Sequence, residues 1–187
     1  MKRNSISKIL NDPVYGFITL NKGILLNIVD HPYFQRLGRI KQLGLTYLVY
    51  PGAHHTRFHH AIGAAHLMGQ AVQTLKDNGI VISNDEKMAV ILAILLHDIG
   101  HGPFSHAMEK SIVEDVHHEA ISLLFMNQLN EEFNGQLSLA IQVFKGEYRQ
   151  LRNQPYLHRI FSHNSGNDFI NTLICKVRNN INFIYTS

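Results

Sequence analysis

Cysteine is almost missing from this chain: Cys175 is the only one in 187 residues, so no intrachain disulfide can form. The longest strongly apolar run, Met88 to Leu96, falls far short of the roughly 20 residues that a membrane-spanning helix needs. The opening Met1-Lys-Arg-Asn-Ser is not followed by the apolar core of a secretion signal. These absences set the expectation of a protein held in a reducing, cytoplasmic setting with no membrane partner. Charged residues are sparse at 17%, but hydrophobic residues reach 45%, a balance that excludes a disordered chain. The length suits one hydrophobic core, and no internal repeat is present.

What the chain has in excess is histidine. There are thirteen against fourteen acids, and ten of them lie between His54 and His118. The central feature is Ile91-Leu-Ala-Ile-Leu-Leu-His97-Asp98-Ile-Gly-His101-Gly-Pro-Phe-Ser-His106, an apolar helix that runs into a His-Asp doublet and then into glycines. Imidazole nitrogen paired with carboxylate oxygen suits Fe, Mn, Ni, Co or Zn, and a helix end holds such a pair while leaving positions open. An isolated His-Asp pair more often satisfies only its own hydrogen bonds. Here the run His54-His55-Thr-Arg57-Phe58-His59-His60 opens a second helix and His117-His118-Glu119 a third, so further imidazoles stand at other helix starts.

Periodicity places these motifs. Residues 14–20 alternate as a short strand, and 32–43 have helical spacing with Pro32 in the first turn. Residues 45–50 lean towards β structure as a connector, and 58–76 are helical until Asp77-Asn78-Gly79 stops them. Ser83-Asn-Asp-Glu86 is a capping box that starts the helix carrying the doublet. Gly100, Gly102 and Pro103 break the geometry after it. Residues 119–133 and 137–145 complete the helical set. Tyr33, Phe34 and Phe58 are expected to fill the core rather than stack on bases.

The runs Asp12-Pro-Val-Tyr-Gly16, Phe34-Gln-Arg-Leu37, Ile40-Lys-Gln-Leu-Gly44, Tyr50-Pro-Gly-Ala53, Arg57-Phe-His-His60 and His97-Asp-Ile-Gly-His-Gly-Pro-Phe-Ser-His106 resemble the HD-domain phosphohydrolase superfamily. The similarity is to its deoxynucleoside triphosphate triphosphohydrolase branch. The resemblance implies a mostly α fold, an HD-domain helical bundle with a short N-terminal β element. It implies that His60, His97 and Asp98 hold a divalent metal ion, one of Mn, Fe, Mg, Zn, Ni or Co. His101, His118 and Glu109 are then set beside the reacting phosphate as proton donor, phosphate ligand and supporting carboxylate. Arg57 is expected to grip phosphate through its planar fork, and Gln42 to read the sugar. Arg36 matches the family, whereas Gly38 stands where relatives often carry arginine and His59 where an acid is common. His54, His55, His66, His106 and His117 receive no metal role and are expected to make surface or helix-end hydrogen bonds.

The resemblance covers about residues 12–147. Residues 1–147 are read as the HD-domain core and 148–187 as a divergent basic tail, where charge shifts from −1 to +4 and seven asparagines appear. The family's final metal aspartate normally follows in an acidic helix. No such string occurs, and Asp168, in a turn-like context, does not match it. The expectation is a shortened or altered family member, weak in catalysis. The leading function is metal-dependent hydrolysis of a nucleotide, a dNTP to deoxynucleoside and triphosphate. The alternatives are an HD module that binds nucleotide, nucleic acid or a partner subunit, and a phosphodiesterase for a cyclic or signalling nucleotide; a homo-oligomer is a separate expectation.

Overall fold

The computed structural model describes residues 7–104 and 118–147. Two antiparallel strands, β1 (Lys8–Asp12) and β2 (Gly16–Leu20), form a hairpin in the register Lys8↔Leu20 to Asp12↔Gly16. Asp12 shapes the turn: one carboxylate oxygen accepts the Val14 and Tyr15 amides at 2.9 and 3.0 Å, and Gly16 takes a positive φ of 70°. The strand expected at 14–20 therefore begins two residues later. Ile18 and Leu20 face the core, whereas Phe17 on the alternate face is exposed.

Next come α1 (Ile24–Asp30), which the sequence reading missed, and α2 (Pro32–Gln35), started by Pro32 and by His31 Nδ1 accepting the Tyr33 amide. The helix expected through residue 43 instead tightens into a 3-10 turn, Arg36–Arg39, and opens at Ile40. Competing main-chain bonds explain the early end. Lys41 bridges to Thr56, the Gln42 amide donates to His55 O, and the Arg57 amide donates to Ile40 O. This lays residues 40–42 beside the start of the next helix. The β-leaning connector at 45–50 is also corrected to a 3-10 turn, Thr46–Leu48, with Leu48, Val49 and Tyr50 exposed and their main chain closed on the turn itself.

Four helices complete the described fold: α3 (Arg57–Asp77), α4 (Asn84–Leu96), α5 (His118–Glu132) and α6 (Ser138–Phe144). Their bounds lie within a residue of the sequence expectation. The Ser83 capping box forms as read, with Ser83 Oγ accepting the Glu86 amide at 3.1 Å and Glu86 returning to the Ser83 amide at 2.8 Å. α4 lies between α3 and α6, which is why it is apolar from Met88 to Leu96 and Leu92, Ile94, Leu95 and Leu96 are fully buried. Each such side chain contributes about 1.5–3 kcal/mol by leaving water. Ala61, Gly63, Ala64 and Ala65 keep the buried face of α3 small. Phe34 is buried, with Tyr33 and Phe58 packed on the core as expected. Among the described residues, no helix is long and apolar enough to cross a membrane. Residues 148–187, including Cys175 and Asp168, lie outside the described residues.

Candidate metal centre

The His-Asp doublet sits where α4 gives out. Beyond Leu96 the chain makes two short turns, with the Ile99 amide on Leu96 O and the His101 amide on Asp98 O, both at 3.1 Å. The negative end of the helix dipole thus faces the doublet and favours a cation there. Both side chains point inward: His97 is 6% exposed and Asp98 1%. His97 Nδ1 lies 2.6 Å from Ile94 O. A carbonyl only accepts, so Nδ1 carries a proton and Nε2 is left facing the site.

The facing imidazole comes from the first turn of α3. Thr56 caps that helix with help from His59, whose Nδ1 receives the Thr56 amide at 3.3 Å and lies 2.9 Å from its hydroxyl. His59 thereby fills the capping position usually held by Glu or Gln. One residue further, His60 is fully buried, with Nε2 3.4 Å from His97 Nε2 and 3.8 Å from Asp98 Oδ2. His97 Nε2 stands 3.2 Å from Asp98 Oδ1. Donors about 2.1 Å from one centre lie roughly 3.0–3.4 Å apart in octahedral or tetrahedral sites. The residues therefore fit a divalent ion in both chemistry and spacing: two imidazoles and a carboxylate, with ligand atoms all within 4.8 Å of one another.

Arg57, three residues before His60, is itself buried, and its Nη1 meets Asp98 Oδ2 at 2.7 Å. Burial pushes the Asp98 carboxyl up, but His97, a hydrogen bond from His101, His60 and Arg57 together outweigh it and hold the group well below the ordinary carboxylate range. Asp98 is thus a fixed negative charge. His101 goes the other way: burial lowers its pKa to about 4, the nearby Asp98 offsetting only part of this. It is neutral at neutral pH, with Nε2 3.3 Å from Asp98 Oδ1. His118 of α5 stacks on its ring, centroids 4.0 Å apart.

Two residues that the sequence reading gave no role hold this loop. Ser122 of α5 donates from Oγ to His97 O at 3.0 Å and receives the Gly100 amide at 2.9 Å. Gly100 is required by that contact, since a Cβ there would stand 2.4 Å from both His118 O and Ser122 N. Arg36 donates from Nη1 to His101 O at 2.8 Å and from Nη2 to Ile99 O, its guanidinium lying over the Phe125 ring. No sequence signal links Ser122 to a doublet some 25 positions earlier. Gly100 was the only local hint of a close approach.

The remaining candidates are placed as follows. Gln42 is buried beside the start of α3, and its Oε1 makes no hydrogen bond among the described residues. His54 approaches Lys41, and His66 lies 3.1 Å from Gln70 Nε2, in keeping with the ordinary roles expected. His55 differs, being buried next to the helix cap, where burial, His59 and Lys41 push its pKa down to about 4. Glu109, His106 and His117 lie outside the described residues.

The family model for the HD domain matches residues 57–153. Among curated proteins, the deoxynucleoside triphosphate triphosphohydrolase SAMHD1 of Danio rerio is 48% identical over 104 residues, covering 54% of this chain and 17% of that protein. The SAMHD1 homolog of Dictyostelium discoideum is 32% identical over 171 residues, covering 84% of this chain and 33% of the homolog. Among solved structures, a phosphohydrolase of Bacteroides thetaiotaomicron superposes with a TM-score of 0.76 at 56% identity, covering 83% of this chain and 38% of that one. The chain thus spans about a sixth of the vertebrate relative's length and about a third of the amoebal one.

Proposed function

This chain belongs to the HD-domain family of phosphohydrolases, and on that premise we propose that it hydrolyses nucleotides with a divalent ion held by His60, His97 and Asp98. The observation that carries the reading is the convergence of these three buried ligands from two helices. When bound, the ion supplies Lewis acidity to the phosphoryl group and a more acidic water. Arg57 fixes Asp98 in position and, after His97, His101 and His60, helps to keep it ionised. His97 is locked in the tautomer that offers Nε2. His101, beside Asp98, is the group that exchanges a proton with the reacting phosphate, and His118 backs its ring. Glu109 is assigned the carboxylate that supports these imidazoles.

The finer reading is a deoxynucleoside triphosphate cleaved to deoxynucleoside and triphosphate, supported by the SAMHD1 relatives. Gln42 supports it too, because its buried Oε1 can accept a sugar hydroxyl. Arg57 is proposed to extend its charge towards the phosphates. The test is incubation of the metal-loaded protein with each dNTP and separation of products. Deoxynucleoside with triphosphate is expected, whereas monophosphate with pyrophosphate would overturn the cleavage position. A second reading is a module that binds nucleotide, nucleic acid or a partner copy without turnover. It is favoured by one observation: among the described residues the cluster offers three ligands, without a further aspartate. Nucleotide binding with no product would establish it.

A further inference from the structure

We propose that Arg36 is a positioning residue for His101: its guanidinium grips the main chain on both sides of Gly100 and so fixes where the His101 ring stands. The inference rests on the proposed hydrolysis only for the claim that this position matters to turnover. The segment after Asp98 has left the helix, so its carbonyls lack helical partners. Gly100 and Gly102 flank His101 and give the segment wide conformational freedom. Arg36 removes that freedom. Its planar fork spans two carbonyls, Nη1 to His101 O at 2.8 Å and Nη2 to Ile99 O.

Two contacts with α5 brace the grip. The Arg36 guanidinium carbon lies 4.8 Å from the centroid of Phe125 on α5, a cation–π contact that ties the loop to that helix. Ser122, one turn earlier on α5, holds His97 O and the Gly100 amide. Of the metal ligands, His60 hangs from α3 and His97 caps the end of α4, whereas Asp98 and the His101 ring, 3.3 Å from Asp98 Oδ1, follow in the turns beyond, where Arg36 holds the carbonyls on both sides of Gly100. Arg36 therefore acts on the His101 ring more directly than on the His60 and His97 rings. Lysine cannot replace it, because one ammonium cannot reproduce a planar fork across two carbonyls.

Arg36→Lys decides the matter, read in protein carrying isotope-labelled histidine with ring signals assigned through single His→Ala variants. The expected result is a shifted or broadened His101 ring signal with the His60 and His97 signals in place. Phe125→Leu, which keeps both hydrogen bonds and weakens the brace, is expected to move the same signal less, and it carries the test if Arg36→Lys does not fold. An unmoved His101 signal, or equal movement of all three rings, overturns the proposal. With metal and a dNTP, Arg36→Lys is expected to lower kcat about 10–100-fold, the scale of a 1 Å misplacement, with KM changed far less. In a His101→Ala background it adds no further loss, and an additive loss overturns the proposal. Wild-type protein that hydrolyses no nucleotide would refute the hydrolysis and leave the ring signals to decide Arg36.

Discussion

Asp98→Asn keeps the side-chain shape at the centre of the site and deletes one charge. Asp98 and Arg57 are 1% and 3% exposed and 2.7 Å apart, so the substitution leaves a guanidinium buried without its counter-charge. Removing one partner of a buried ion pair costs about 3–5 kcal/mol, set against a total domain stability of about 5–15 kcal/mol. In metal-free protein, urea unfolding is expected to show a loss in that range with an unchanged slope. Arg57→Met combined with Asp98→Asn is expected to cost less than the sum of the two, since no unpaired charge remains. Divalent ion adds a second readout. At a concentration 100 times its dissociation constant it stabilises the wild type by about 2.7 kcal/mol, and Asp98→Asn is expected to lose most of this. A metal-free loss below about 1 kcal/mol, the range of a solvent-screened pair, together with undiminished stabilisation by metal, would refute both the buried pair and the ligand assignment.

Other expectations follow from particular contacts. His101→Ala is expected to retain bound metal, measured by elemental analysis, and to lose about 10²–10⁴-fold in turnover as an acid–base residue does; equal loss of metal and activity would make it a ligand. Gly100→Ala drives a Cβ to 2.4 Å from the main chain of α5, so a fall of about 1–3 kcal/mol or more is expected in thermal unfolding, against a change within about 0.5 kcal/mol for Gly52→Ala, which meets nothing. His55 has a folded pKa near 4, below its ordinary 6.5, so its contribution is full above about pH 6.5 and is lost as pH falls towards 4, where the unfolded chain binds the extra proton. Wild type is expected to lose about 1–2 kcal/mol more than His55→Gln between pH 7 and 4.5, after allowance for solvent screening; parallel profiles would refute the assignment.

The sequence determined the local facts. Apolar spacing and the Ser83-Glu86 box fixed α3 and α4 nearly to the residue, because capping and amphipathic periodicity act within one or two turns. The His-Asp doublet at the end of an apolar run was legible for the same reason, and its resemblance to the HD phosphohydrolases named the family. Tertiary structure decided what depends on distant partners. Residues 40–42 left their helical pattern because the lead-in to α3 offered main-chain bonds, and residues 45–50 closed their main-chain bonds within a 3-10 turn. That Arg57 lies buried against Asp98 carried no sign in the sequence. His60 meets His97 at 3.4 Å only because small residues on α3 let it pack against α4. Ser122 and Arg36 acquire their roles from carbonyls exposed where α4 ends. Hydrogen-bond donors far apart in the chain carry no mark of the acceptors they will meet, so these contacts existed only once the helices had packed.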